Sequence, residues 1–348
     1  MDYIPLDKDF IQTVEDFFFC IIGYIHPPKR ISSYLKYIPS NSGKWKLKNQ
    51  NLKRVLPYYS AQAVLDTLQW LENNYPQYLF YDRNSDMVFS AVPFRFIKNY
   101  YSTRQKMREI LALSKLDSLQ NKLILLISTI SRLSDVPLDA FGVTGSILLN
   151  IHNPDFSDLD VTIHGYENSL KIRQTMKDIF EKGHPELSPL DEKEAERWQK
   201  DKAKRFGMSQ DEAKLLFKRK WNMGVFNETR FSIHPIRNLN EIEEKYDDKA
   251  FIQKGRIEIQ AKIIDSQALF LPLKYRITKV EILKGEKVEN IQEIVSYEGL
   301  FDTAVEKNEF VKAKGQLELV KDNKRKIEYY RLVIGSKQGN SEEYILKI

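Results

Sequence analysis

Gly145-Ser146 and Asp158-Leu159-Asp160 are the residues of this 348-residue chain whose types and spacing can do chemistry. They stand in FGVTGSILLNIHNPDFSDLDVTIH, residues 141–164. A β-type run begins at the aspartates. Side chains on a strand alternate between faces, so Asp158 and Asp160 share one face while Leu159, Val161 and Ile163 turn to an apolar core on the other. Two carboxylates on one face repel, and a cation is their natural counter-charge. Oxygen ligands suit Mg2+ (or Mn2+), which takes one or two carboxylates and completes its shell with water and phosphate oxygens. Gly145 and Ser146, at the entrance to an apolar turn, offer backbone N–H groups and a hydroxyl to a phosphate. Phosphate cradle and metal carboxylates in one strand–turn–strand unit point to nucleotide chemistry. The loop between them, His152–Ser157, is turn chemistry, with Asp155 and Ser157 shaping the entry and His152 at the surface.

The pair Gly145-Ser146, eleven intervening residues and then Asp158-Leu159-Asp160 resembles the signature of the polymerase-β-type nucleotidyltransferase superfamily. The resemblance implies an α+β fold with a polymerase-β-like nucleotidyltransferase core, a mixed sheet with flanking helices. It implies divalent metals held by Asp158 and Asp160, usually with a third acid from a later strand, and transfer of a nucleotidyl group from a nucleoside triphosphate to a hydroxyl. The wider arrangement is similar to uncharacterised archaeal nucleotidyltransferase-domain proteins, which name no substrate.

The later strand departs from that pattern. Phe231–Ile236, paired through a turn at Asn227-Glu228 with Asn222–Phe226, presents Ser232 and His234 on one face and Phe231, Ile233 and Pro235 on the other. None is an acid, and Glu228, the nearest one, falls in the turn. Mg2+ binds imidazole poorly, so His234 reads first as structural. The missing acid keeps a second reading open: a catalytically silent nucleic-acid- or partner-binding protein retaining the nucleotidyltransferase fold.

The net charge of +6 matters less than its distribution. From Lys29 to Arg54 the chain carries eight basic residues and no acid, interleaved with Tyr34, Tyr37 and Trp45. Such a segment can bind RNA or DNA, its lysines on phosphates and its aromatics on bases. It can equally be a hairpin whose lysines face solvent and whose aromatics fill a core. The longest apolar runs, Phe17–Ile22 and Leu123–Ile130, fall short of a membrane span, and Met1–Asp9 is not a basic-then-apolar leader. A cytoplasmic location is therefore expected. The single Cys20, inside an apolar run, reads as a buried thiol and excludes a disulfide framework.

The punctuation divides the chain into an N-terminal α+β segment (1–102), the nucleotidyltransferase core (103–250) and an all-β domain, a small barrel or sandwich (251–348). In the first, Phe10–Ile25 and Ile31–Ile38 read as β-structure about His26-Pro27-Pro28, Ala61–Asn73 as an amphipathic helix, and Tyr78–Tyr81 and Met87–Val92 as strands. Helices at Thr103–Leu113 and Leu116–Leu133 precede the strand Ala140–Val143, and Tyr166–Lys182 reads as a crossover helix. The charged helical stretch Asp191–Lys220 breaks at Gly207-Met208-Ser209. Its basic end supplies Lys218 and Lys220 as candidate triphosphate contacts, or else is merely a solvated face. Beyond it, β-type runs at Ile257–Ile264, Leu273–Leu283, Ile291–Ser296, Phe310–Val320 and Ile327–Ile334 complete the last domain. Its middle is acidic, which suits bracing or protein docking better than nucleic acid.

Overall fold

The N-terminal sheet begins with a hairpin in a computed structural model that describes residues 4–56, 61–336 and 342–348. Strands β1 (Phe10–Thr13) and β2 (Phe18–Ile21) are joined by a turn in which Asp16 takes a left-handed φ of 60°. The polar Glu15-Asp16 pair thus splits the run expected over Phe10–Ile25. Then follow β3 (Arg30–Pro39), β4 (Trp45–Leu47), β5 (Gln50–Arg54), helix α1 (Ala61–Asn74), β6 (Leu79–Asp82), β7 (Met87–Pro93) and β8 (Ile97–Tyr101). The main path runs β4-β5-β3-β2-β1-β8, with β7 added to β3 and β6 to β7. Alternation sorts its side chains: Phe10, Phe18, Cys20 and Tyr34 pack on one face, and Ile11, Phe19, Ile31 and Leu35 on the other. Cys20 is buried, and burial pushes its thiol up.

One bulge departs from this alternation. Phe18 pairs with Tyr37 but Phe19 with Leu35, so Lys36 is the extra residue. A bulge places neighbouring side chains on one face and re-aims them. Lys36 and Tyr37 both turn to the Phe10 side, where the Lys36 ammonium lies 5.2 Å from the Phe10 ring centre and 5.8 Å from that of Tyr37.

The central unit starts with α2 (Thr103–Leu111) and α3 (Ser118–Ser134), the latter opened by a reciprocal cap between Asp117 and Gln120. Next come β9 (Phe141–Val143), the one-turn helix α4 (Gly145–Leu148), β10 (Leu159–His164), α5 (Tyr166–Lys182) and β11 (Leu187–Ser188). Helices α6 (Glu192–Phe206) and α7 (Gln210–Lys218) lead to β12 (Met223–Phe226) and β13 (Thr229–Ile236). The sheet order is β11-β12-β13-β10-β9, mixed because β10 runs parallel to β13 and antiparallel to β9. Leu159, Val161 and Ile163 are wholly buried beneath α3 and α5, each worth about 1.5–3 kcal/mol of transfer free energy. That burial fixes the strand's rotation and leaves Asp160 on the opposite face.

The last unit is built from β14 (Lys249–Gln267), β15 (Leu273–Lys284), β16 (Ile291–Ser296), β17 (Phe310–Asp322), β18 (Ile327–Ile334) and β19 (Tyr344–Lys347). The order β14-β15-β16-β18-β17 closes through β14–β17 pairing, so the five strands form a barrel, with β16 and β18 parallel and β19 on the outer edge of β17. The whole chain is thus α+β with three sheets. Phe206 and Leu216 of α6 and α7 belong to the barrel's core, while Leu269 and Phe270 of the barrel insert into the central core. Among the described residues no helix is long and apolar enough to cross a membrane.

Candidate functional site

Asp160 is placed by sheet register. It lies opposite Ser232 on β13, with Thr162 opposite His234, so these four side chains share the face away from the Leu159–Ile163 core. The Ser232 hydroxyl donates to Asp160 Oδ1 at 2.6 Å. It lies 2.8 Å from His234 Nε2, from which it can accept in turn, and that nitrogen is 3.8 Å from Asp160 Oδ1. On the other side of the carboxylate is the Gly145 turn. Gly145 has φ +67°, and a Cβ built there would overlap Asp160 Oδ2. The backbone fastens the same corner, since the Thr144 N–H donates to the Asp160 carbonyl at 2.9 Å. Glycine at 145 therefore serves two needs, a left-handed turn and room for the carboxylate.

Asp158 stands one residue ahead of β10 rather than within it, and is exposed. Partial desolvation of its carboxyl and the Asp160 charge both raise its pKa, while Arg230 and Arg54 oppose the rise. Asp160 has the opposite balance. Burial pushes it up, but His234, the Lys36 ammonium and the Ser232 hydroxyl together hold it well below the usual carboxylate range. The two acids thus differ in character: Asp160 is an anchored anion, and Asp158 a freer carboxylate at the mouth. The row beyond Asp160 ends in His164, where burial, with Arg104 and Arg108 nearby, lowers the imidazole to about 3 and keeps it neutral. Its Nε2 lies 3.3 Å from Thr103 Oγ1, tying the row to α2.

Lys36, Arg54 and Arg230 are among the cations whose charges lower the two carboxylates. Arg230 is also paired with Glu194 of α6. Lys36 and Arg54 come from the N-terminal sheet, more than a hundred residues before the motif. Its aromatic face packs on Leu148, Leu149 and Ile151 just beyond the Gly145 turn, and the Thr144 hydroxyl donates to the Lys8 carbonyl at 2.7 Å. No local signal announced these two residues; only the acid-free basic run did, without saying where it would land.

Other expected residues lie elsewhere. Lys220 is 7% exposed, paired with Asp302 and donating to the Leu300 carbonyl at 3.0 Å, because α7 packs on the barrel. Its neighbour Arg219 grips Glu309 with two bonds of 2.7 and 2.8 Å. Lys218 is exposed at the end of α7. The basic end of this helix braces the barrel. His152, expected at the surface, is mostly buried and lies 2.8 Å from Asp117 Oδ2 at the start of α3. Ser157 closes the 152–157 loop by accepting from the Asn153 N–H, and Asp155 stays exposed. Tyr34 and Tyr37 are core residues, and Trp45 packs edge-on against Tyr37 at 5.4 Å.

A divalent cation can be tested against this donor set. Among the described residues no three His, Cys, Asp or Glu side chains are grouped to hold a metal. Asp158 and Asp160 supply carboxylate oxygens, β13 adds only a hydroxyl and an imidazole, and Asp160 Oδ2 lies against the Gly145 turn. Such a set suits one Mg2+ or Mn2+ completed by water and phosphate oxygens. A second ion held wholly by protein acids lacks its ligand.

No known family's sequence profile matches the chain, and no solved structure matches it. The chain is similar to an uncharacterized protein of Methanocaldococcus jannaschii, MJ1086, with 28% identity over 345 residues, covering 97% of each. The match runs through all three units, and the relative's name assigns no activity.

Proposed function

We propose that the protein is a nucleotidyltransferase with a polymerase-β-like core, moving a nucleoside monophosphate from a nucleoside triphosphate to a hydroxyl acceptor. The observation that carries this reading is Asp160 pressed against the Gly145 turn with Asp158 at its mouth. Asp158 and Asp160 would hold the Mg2+ or Mn2+, which when bound neutralises the triphosphate and polarises the phosphorus under attack. Ser232 keeps Asp160 ionised and fixes its rotamer. Gly145 and Ser146 let the phosphates approach the backbone closely. A helix of one turn has little dipole to offer, so compensating charge falls to Lys36 and Arg54 from the facing sheet. Asp158, the freer acid, is the one beside which the acceptor hydroxyl would sit. Attack forms the new phosphodiester and releases pyrophosphate.

The test offers each of the four α-labelled triphosphates, with Mg2+ or Mn2+, to RNA, DNA and protein acceptors. Wild type should label one acceptor class, and Asp158→Ala and Asp160→Ala should each lose that labelling by at least about 100-fold, the scale of a lost transition-state contact. Asp158→Ala should melt like wild type, since its side chain is exposed. Undiminished labelling in either variant would remove the carboxylates from the mechanism. A second reading, a binding protein without turnover, is favoured by the absence of an acid from the Ser232–His234 face. It requires nucleic-acid binding that is independent of metal, with no labelling by wild type.

A further inference from the structure

Of the eight basic residues from Lys29 to Arg54, Lys36 is the one that is buried, with 8% of it exposed. An ammonium leaves water at a cost unless aromatic faces and opposite charge receive it. The bulge at Lys36 turns it to the rings of Phe10 and Tyr37, 5.2 and 5.8 Å from its nitrogen. That face of the sheet is covered by the central unit, for Phe10 and Tyr37 pack with Leu148, Leu149 and Ile151 just beyond the Gly145 turn. Two hydrogen bonds fasten the seam at the carboxylate. The Thr144 hydroxyl donates to the carbonyl of Lys8, two residues before Phe10, and the Thr144 N–H donates to the carbonyl of Asp160 itself. Packing and hydrogen bonding thus set the Lys36 face against the corner that holds Asp160.

The opposite side of the carboxylates does not provide for two metal ions. On β13, Ser232 stands opposite Asp160, and its hydroxyl already engages Asp160 Oδ1 at 2.6 Å. Among the described residues no third acid joins the pair. In two-ion sites the cations lie about 3.5–4 Å apart and clamp the attacking and leaving oxygens. Here the charge of Asp158 and Asp160 is matched by a single divalent ion, and a buried ammonium on the facing sheet repels a second. An ammonium carried on a side chain needs no carboxylate ligands of its own, which are what β13 fails to supply.

Resting on the transferase reading above, we propose that the site works with one divalent ion and that the Lys36 ammonium takes the place of the second. The triphosphate is then held between one metal ion on Asp158 and Asp160 and one fixed side-chain charge from the N-terminal sheet. The sheet thereby completes the site, and the bulge that re-aims Lys36 is what delivers the charge.

The full chain is saturated with the α,β-methylene analogue of each ribonucleoside triphosphate, in which the bond to be broken is blocked. Mn2+ held per chain is counted by equilibrium dialysis against analogue and Mn2+ alone. Electron paramagnetic resonance of the same samples reports whether two ions are coupled. Wild type should hold one uncoupled Mn2+ per chain. Lys36→Met should also hold one, while binding the analogue roughly ten- to a hundredfold more weakly. Lys36→Glu exchanges the ammonium for an acid and should raise the count to two, with the signature of a coupled pair. Two ions in wild type would overturn the proposal, and with metal-dependent binding of the analogue would leave the transferase reading standing. Unchanged affinity in Lys36→Met, or a count of one in Lys36→Glu, would likewise overturn the proposal alone. Analogue binding that needs no metal, or no binding of any of the four, would sink the transferase reading and this proposal with it.

Discussion

Gly145→Ala probes the corner on which the site is built. Two costs are added there, and a second glycine separates them. At φ +67° an alanine pays about 1–2 kcal/mol for the left-handed backbone. Its Cβ also meets Asp160 Oδ2, so the carboxylate must swing away and lose the bond from Ser232, worth about 1.5–3 kcal/mol for a charged acceptor. Gly23 has φ +68° and nothing within 4 Å of a Cβ built on it, so Gly23→Ala pays the backbone cost only. Urea unfolding should show Gly145→Ala less stable than Gly23→Ala by about 1.5–3 kcal/mol. In an Asp160→Ala background the excess should vanish, because the collision and the bond are then both absent. Equal costs for the two glycines, or an excess that persists without Asp160, would refute the packing of Asp160 on this turn.

Three further outcomes follow, from Asp9 and Lys36 on the N-terminal sheet and from Lys220 against the barrel. Asp9 is buried beside the Thr103 N–H and the Tyr100 hydroxyl, and burial raises it from 3.8 to about 6. It binds a proton more tightly folded than unfolded, so stability falls as pH climbs from 3.8 to about 6, by about 3 kcal/mol. Asp9→Asn should flatten that slope in unfolding curves taken from pH 4 to 7. Lys36→Met should weaken triphosphate binding roughly ten- to a hundredfold by calorimetry, the loss of one charged contact; unchanged affinity would remove Lys36 from the site. Lys220→Met leaves Asp302 with Asn222 in a largely buried place, and should cost about 3–5 kcal/mol in unfolding while triphosphate affinity stays at the wild-type value.

Local pattern carried the parts of this fold that depend on near neighbours. The alternation of Leu159, Val161 and Ile163 against Asp160 is legible because burial on one side of a strand leaves a period of two. Helix α5 and strands β16 and β18 occupy the expected bounds, and the break between α6 and α7 falls at Gly207, which takes a left-handed φ of 62°. Other features depend on partners distant in sequence. The bulge at Lys36 reverses the alternation that would separate Lys36 from Tyr37, and nothing in residues 34–37 marks it. Lys220 finds Asp302, and His152 finds Asp117, through packing of whole helices. Strand β14 is longer than the run expected at Ile257–Ile264 because its first half pairs with β17 alone, where polar residues such as Gln253 and Lys254 are tolerated at an exposed surface. Strand β19 rests on the short apolar run Tyr344–Leu346, too brief to read as a strand alone, and is held by pairing with β17.

The central claim is that Asp158 and Asp160 join a divalent cation to a triphosphate. Calorimetric titration of each nucleoside triphosphate into the protein, with Mg2+, with Mn2+ and with chelator, addresses it most directly. The account predicts binding that needs the metal and disappears in Asp160→Asn, with Gly23→Ala as an unaffected control. Triphosphate binding of equal strength in chelator, or undiminished in Asp160→Asn, would contradict it.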